Sequence, residues 1–197
     1  MIVIGLTGSI GMGKSRAASM LKLMGIPVHD SDKAVHAALQ PKGIAFDDVV
    51  SALPSALDKK TNGIDRKKLG DIVFNDPAAL KTLENILHPA AKKSQVDFIQ
   101  AMTRKGKRAA VLEIPLLFET GAEKRVDCVI CVSAPPAIQR RRVLARKGMT
   151  EEKFKSILAK QMPDAQKRSL SDYVVQTGMG PAHTFRALRK IVRELGV

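Results

Sequence analysis

Aromatic surface is scarce in this chain: it holds no tryptophan, one tyrosine and six phenylalanines. Single-stranded nucleic acids are gripped by stacking bases on aromatic rings, so this poverty weighs against such a partner. Cysteine is scarcer still. Cys128 and Cys131 form one C-x-x-C inside "VDCVICVSA", and no second pair of ligands stands at zinc-site spacing. On a strand, residues three apart face opposite ways, so the pair could not share a metal. Both read as buried core thiols in a reducing compartment. No disulfide staple is needed either, because a chain of this size buries roughly 70% of its unfolded surface. There is no run of about 18 apolar residues to span a membrane. The N-terminal segment has neither the basic start nor the small-residue cleavage site of a secretory leader. The expectation is a cytoplasmic globular protein of one domain, with insertions.

Charge is plentiful and one-sided. The net charge is +14 over 197 residues, and from Ile138 to Val197 there are 14 Lys/Arg against 5 Asp/Glu. Such a surface suits a small ligand with several phosphates, a solvated basic face, or a nucleic acid. The lack of stacking platforms weakens the last.

Apolar runs and helical spacing alternate along the chain. "IVIGLT", "IPVHDSD", "RAAVLEIPLLF", "DCVICVSA" and "SDYVVQT" read as five short strands. "KSRAASMLKLMG" has helical apolar spacing with Gly25 as its C-cap, and "AHTFRALRKIVRELG" is an amphipathic helix. This alternation predicts an α/β fold, a five-stranded parallel sheet flanked by helices. About 75 residues separate the second strand from the third. They read as helical, broken at Pro77 and Pro89, and are too long for a simple crossover. They are expected to be an inserted substrate-binding region. No internal repeat is present.

The strongest local signal is "GSIGMGKS", Gly8 to Ser15. G-x-x-x-x-G-K-S between a strand and a helix is a phosphate-binding loop. Its glycines let backbone N–H groups of Gly11, Met12 and Gly13 turn toward phosphate, and the helix start adds its dipole. Lys14 would hold the terminal phosphates of ATP and Ser15 would ligate Mg²⁺. The guanine-reading N-K-x-D and the D-x-x-G of a signalling GTPase are both missing. A small-molecule kinase is the class that remains.

A kinase must relieve the acceptor hydroxyl of its proton. "VHDSD" places Asp30 and Asp32 at the end of the second strand, the edge where ligands sit in open α/β sheets. Alternation along an extended chain would send both carboxylates to one side. The same residues serve equally as an N-cap for the helix that follows.

"GLTGSIGMGKS", "HDSDKAVH", "DRKKLGDIVF", "LENILHP", "LEIPLLFETG", "IQRRRVLARKGMTEE", "ILAKQM" and "SDYVV" occur in an order that resembles the dephospho-coenzyme A kinase family. The likeness covers nearly the whole chain. It implies ATP-dependent phosphorylation of the ribose 3′-hydroxyl of dephospho-coenzyme A, the last step of coenzyme A synthesis. It also implies a P-loop kinase core (about 1–32, 106–137 and 166–197), a helical acceptor-binding region (about 33–105) and a lid (about 138–165). By position, Asp32 matches the family's base or hydroxyl-orienting group. Arg66 and His88 match the acceptor region, and Gln139, Arg142 and Arg146 match a lid element. Arg142 and Arg146, four apart, are expected on one helix face, with Arg142 neutralising charge on the transferred phosphoryl group.

The sequence departs from the family at three places. Glu113 stands where aspartate is usual and is one methylene longer, leaving its reach to a Mg²⁺-bound water or to the acceptor open. Thr177 occupies the place of an asparagine near adenine. Arg16 follows the loop serine, where a second hydroxyl residue is common, and adds positive charge near the phosphates. The partners expected are ATP, Mg²⁺ and one small-molecule acceptor, with no nucleic acid or membrane, and a monomer favoured.

Overall fold

The β-branched run near the N-terminus forms strand β1 (Ile2–Thr7), buried over its last four residues. Burial on both faces is what a central parallel strand requires. The computed structural model describes residues 1–58 and 61–197. Lys59 and Lys60, inside the expected helical insertion, lie outside the described residues. After β1 come α1 (Lys14–Leu23), β2 (Val28–Asp30), α2 (Ser31–Ala38), α3 (Phe46–Ala52), β3 (Leu57–Asp58) and β4 (Gly63–Ile64). Next are α4 (Arg66–Asn75), α5 (Pro77–Arg104), β5 (Ala109–Glu113) and β6 (Cys128–Ser133). The chain closes with α6 (Pro136–Leu144), α7 (Glu151–Ala159), α8 (Asp164–Ser169), β7 (Tyr173–Gln176) and α9 (Pro181–Glu194). It divides into two compact units: residues 1–29 with 101–197, and residues 30–100.

The sheet has the order β2-β5-β1-β6-β7. β1 runs parallel to β5 and β6, and β6 to β7, with Ile4 opposite both Val111 and Cys128. From β1 the chain crosses to the edge at β2 and returns to β5 beside β1, then builds outward on the other side through β6 and β7. The direction reverses at β1, and ligands of open α/β sheets gather at the carboxyl ends beside such a reversal. The phosphate loop follows β1 directly. Ile4, Leu6, Leu21, Val111, Ile130 and Val132 are fully buried in the core of this unit. Cys128 and Cys131 are free and buried, as core thiols should be. Burial pushes each thiol up to about 11, with Asp172 adding to the rise at Cys128 and Asp164 at Cys131.

The unit of residues 30–100 is largely helical and has its own core, which includes Leu39, Ala45, Val49, Ala56, Leu69 and Leu83. It also carries a short antiparallel hairpin, Leu57 opposite Ile64, which the sequence did not announce. Asp65 caps α4 by accepting from the amides of Lys67 and Lys68. Asp76 accepts from the amides of Ala78 and Ala79 at the start of α5. Pro77 sits in that first turn, where a missing N–H costs nothing. The expected break at Pro89 does not occur. α5 continues through it for 28 residues. Proline inside a helix costs about 3 kcal/mol, and here Leu83 and Ala90, on either side of it, are held in the core. Packing of that kind overrides local propensity.

Candidate active site

The phosphate loop takes its shape from Gly11 and Gly13, with φ of 78° and 92°. A side chain at either would be strained in that left-handed region. α1 starts at Lys14 with Gly13 as N-cap and no side-chain cap bond. Its first N–H groups are therefore not taken by a capping side chain, which suits an anion at the helix start.

Glu113, at the end of β5 and 4% exposed, faces this loop. Its Oε1 accepts from Lys14 Nζ at 2.8 Å and from Ser15 Oγ at 3.2 Å. The ammonium and the hydroxyl thus converge on one carboxylate oxygen. Arg16 is exposed on the first turn of α1.

Other side chains approach the loop's backbone. Gln139 Nε2 donates to Ile10 O at 2.8 Å, and Gln161 Oε1 accepts from Ile10 N at 3.0 Å. Arg142 Nη1 donates to Thr177 Oγ1 at 2.8 Å and, more weakly, to Gly11 O at 3.4 Å. Its Nη2 donates to Thr177 O at 2.8 Å. Thr177 Oγ1 in turn donates to Met12 O at 2.7 Å. Gln139 and Thr177 are buried. Gln161 was missed as a site residue because its partner lies 151 positions away and no local pattern joins them.

Arg146 departs from expectation. α6 ends at Leu144 with Ala145 as C-cap, so Arg146 lies in the turn beyond the helix and shares no helix face with Arg142. The helix is closed there by the amides of Ala145 and Arg146, bonded to Arg141 O and Val143 O. Arg140 is exposed and pairs with Glu151 of α7 at 2.8 Å.

Asp32, Arg66 and His88 all belong to the unit of residues 30–100. The strand β2 stops at Asp30, so Asp32 is the second residue of α2 and not part of an extended chain. The alternation expected to align Asp30 with Asp32 is therefore absent. Asp30 caps α2, accepting from Lys33 N at 3.0 Å. Asp32 is exposed in the first turn, where the helix dipole favours a carboxylate. Arg66 opens α4 with Nη1 3.4 Å from His36 Nε2, and His88 is exposed on α5.

Residues 2–180 match the dephospho-CoA kinase family. The chain belongs to that family. A dephospho-CoA kinase of Mesorhizobium japonicum is 50% identical over 196 residues, covering 99% of this chain and 97% of the relative. One from Agrobacterium fabrum is 47% identical, covering 100% and 99%. Among solved structures, a protein of Thermus thermophilus superposes with a TM-score of 0.85 at 33% identity, covering 98% of this chain and 96% of its own. A dephospho-CoA kinase of Campylobacter jejuni gives 0.72 at 29%, covering 98% and 96%. Dephospho-CoA kinases are kinases, and in this chain the loop of Gly8–Ser15 joins β1 to α1 on the parallel sheet described above.

Proposed function

We propose that this chain transfers the γ-phosphoryl group of ATP to the ribose 3′-hydroxyl of dephospho-coenzyme A, releasing coenzyme A and ADP. The observation that carries the donor side is the convergence of Lys14 Nζ and Ser15 Oγ on Glu113, at 2.8 and 3.2 Å, beside the glycine loop. Membership of the family carries the choice of acceptor.

The loop amides and Lys14 bind and orient the β- and γ-phosphates, and Lys14 leaves Glu113 to do so. Arg142, beside the loop, adds positive charge where the transferred group develops negative charge. Asp32 accepts the proton of the 3′-hydroxyl or aligns its oxygen for in-line attack. Arg66 and His88 hold the acceptor. Residues about 138–165 act as a lid that excludes water once both substrates are bound.

Among the described residues there is no cluster of three His, Cys, Asp or Glu side chains to cage a metal. That fits Mg²⁺, which keeps waters and relies on few protein ligands plus substrate phosphates. Ser15 would ligate it directly and Glu113 through a water. When bound, it neutralises charge on the phosphate oxygens. No helix among the described residues is long and apolar enough to cross a membrane.

The test is to supply ATP and Mg²⁺ with dephospho-coenzyme A, adenosine, AMP and shikimate in turn, and to follow ADP. Release with dephospho-coenzyme A alone supports the reading. Release with another acceptor and none with dephospho-coenzyme A overturns it.

A further inference from the structure

A phosphate loop binds anions through its backbone N–H groups, and a peptide that aims its N–H at a ligand aims its carbonyl away. Those carbonyls need partners of their own when shielded from water. In this chain three consecutive ones are taken by three different side chains. Ile10 O accepts from Gln139, Gly11 O from Arg142 and Met12 O from Thr177, at 2.8, 3.4 and 2.7 Å. We propose that Thr177 is a positioning residue of the phosphate loop, acting through the loop's backbone and not on the base of the nucleotide.

Four observations place Thr177 at the centre of this row. It is 6% exposed, in the turn that leaves β7. Its amide donates to Ser133 O at 2.8 Å, tying it to the end of β6. Its hydroxyl lies 2.7 Å from Met12 O, with Ser133 O a more distant acceptor at 3.3 Å, and the same oxygen and the Thr177 carbonyl each accept from Arg142 at 2.8 Å. Its side chain also lies flat against Gly13. A Cβ added there would meet Thr177 Oγ1 at 3.1 Å and both of its carbons at 3.4 Å.

A β-branched side chain anchored at both ends has one rotamer to offer. The threonine therefore sets where Met12 O and the Gly13 backbone sit, and so how the loop amides are aimed. It also docks the guanidinium of Arg142 beside the loop. Its hydroxyl is engaged by protein groups as donor and as acceptor, which leaves an adenine ring little to gain from it. The inference rests on the loop being the phosphate site proposed above.

The experiment compares Thr177→Val and Thr177→Ser with the unaltered full-length chain. Titration calorimetry with Mg²⁺ measures binding of ATP, GTP and inorganic tripolyphosphate. Thr177→Val keeps the shape but leaves Met12 O without its donor and removes the hydroxyl acceptor of Arg142 Nη1, while Nη2 keeps the backbone carbonyl of residue 177. Losing a buried hydrogen-bond partner should weaken all three ligands by a common factor of about ten. Thr177→Ser keeps the hydroxyl and restores most of the affinity. A loss for ATP with tripolyphosphate unchanged overturns the proposal and makes Thr177 a base contact. No loss for any ligand overturns it as well.

If Thr177→Val is too unstable to titrate, Thr177→Asn provides a second arm. It keeps a donor but crowds Gly13, and the proposal requires ATP and tripolyphosphate to change by the same factor. A change confined to ATP sinks it. Lys14→Ala separates the two readings. Tripolyphosphate binding retained in Lys14→Ala refutes the phosphate site itself. Binding lost in Lys14→Ala but kept in Thr177→Val refutes only the role of Thr177.

Discussion

In the sheet-bearing unit, Ile4, Leu6, Val111, Ile130 and Val132 are all 0% exposed, and branched residues dominate the strands' buried faces. In the unit of residues 30–100, alanines take much of the core, and Leu53, Leu69 and Leu83 keep 5–9% of their surface in water. The first unit also ties its loops to its framework with side chains. Gln139, Arg142, Gln161 and Thr177 bond to loop backbone or to one another. The difference matches the tasks proposed for the two. Phosphoryl transfer needs donor groups held to a fraction of an ångström on rigid elements. A unit with fewer fully buried contacts opens more readily, which suits binding and release of a larger acceptor.

The largest effect should come from the side of the acceptor. Asp32→Asn keeps size and removes the proposed base, so turnover on dephospho-coenzyme A should fall about 10²–10⁴-fold. ATP affinity, carried by the other unit, should stay near normal in calorimetry. A matching loss of ATP affinity would break the division of labour. Asp30→Asn keeps a competent N-cap for α2 and should leave turnover close to the unaltered protein's.

Lys14→Ala tests the donor side. Turnover should drop about 10²–10³-fold, while circular dichroism and the thermal midpoint show an intact fold. Near-normal ADP release would remove the loop from the mechanism.

The strand–loop–helix setting of the phosphate-loop motif was legible beforehand, because it is written in one contiguous run, and β1 and α1 do flank it. The placement of the expected acceptor residues was harder. Whether "VHDSD" continues as a strand or turns into a helix depends on where β2 stops, and Asp30 settles it by capping α2. Arg146 was misplaced for a similar reason, since α6 ends a turn early at Leu144. Pro89 looked like a break because proline disfavours helix locally, and the packing on either side of it outweighs that preference.

The contrast between the cores can be measured directly. Ile130→Ala should cost about 2–5 kcal/mol, and Leu83→Ala only the low end of that range. Urea unfolding of the nucleotide-free protein reads both. Equal losses would show that the second unit is packed as tightly as the first.

The smallest effect is a pH dependence confined to the sheet. Burial raises Cys128 and Cys131 from 9.0 to about 11. Above 9.0 the unfolded chain releases these protons while the folded one keeps its thiols neutral. The thiols' contribution to stability is thus complete below pH 9.0 and is lost as pH rises toward about 11. The urea midpoint should fall across that window, and fall less in a Cys128→Ala/Cys131→Ala double variant. An identical fall in both would assign the effect to other groups.

By itself, the sequence determined the parallel α/β class, the phosphate loop, the buried thiols and the family. Each of these is written in a short run or in the order of such runs, where neighbouring residues act on one another directly. Only the tertiary structure decided what braces the loop. Its carbonyls and amides meet Gln139, Arg142, Gln161 and Thr177 across separations of 129 to 165 residues. Contacts over such distances arise only when the sheet order brings the ends of β1, β6 and β7 side by side.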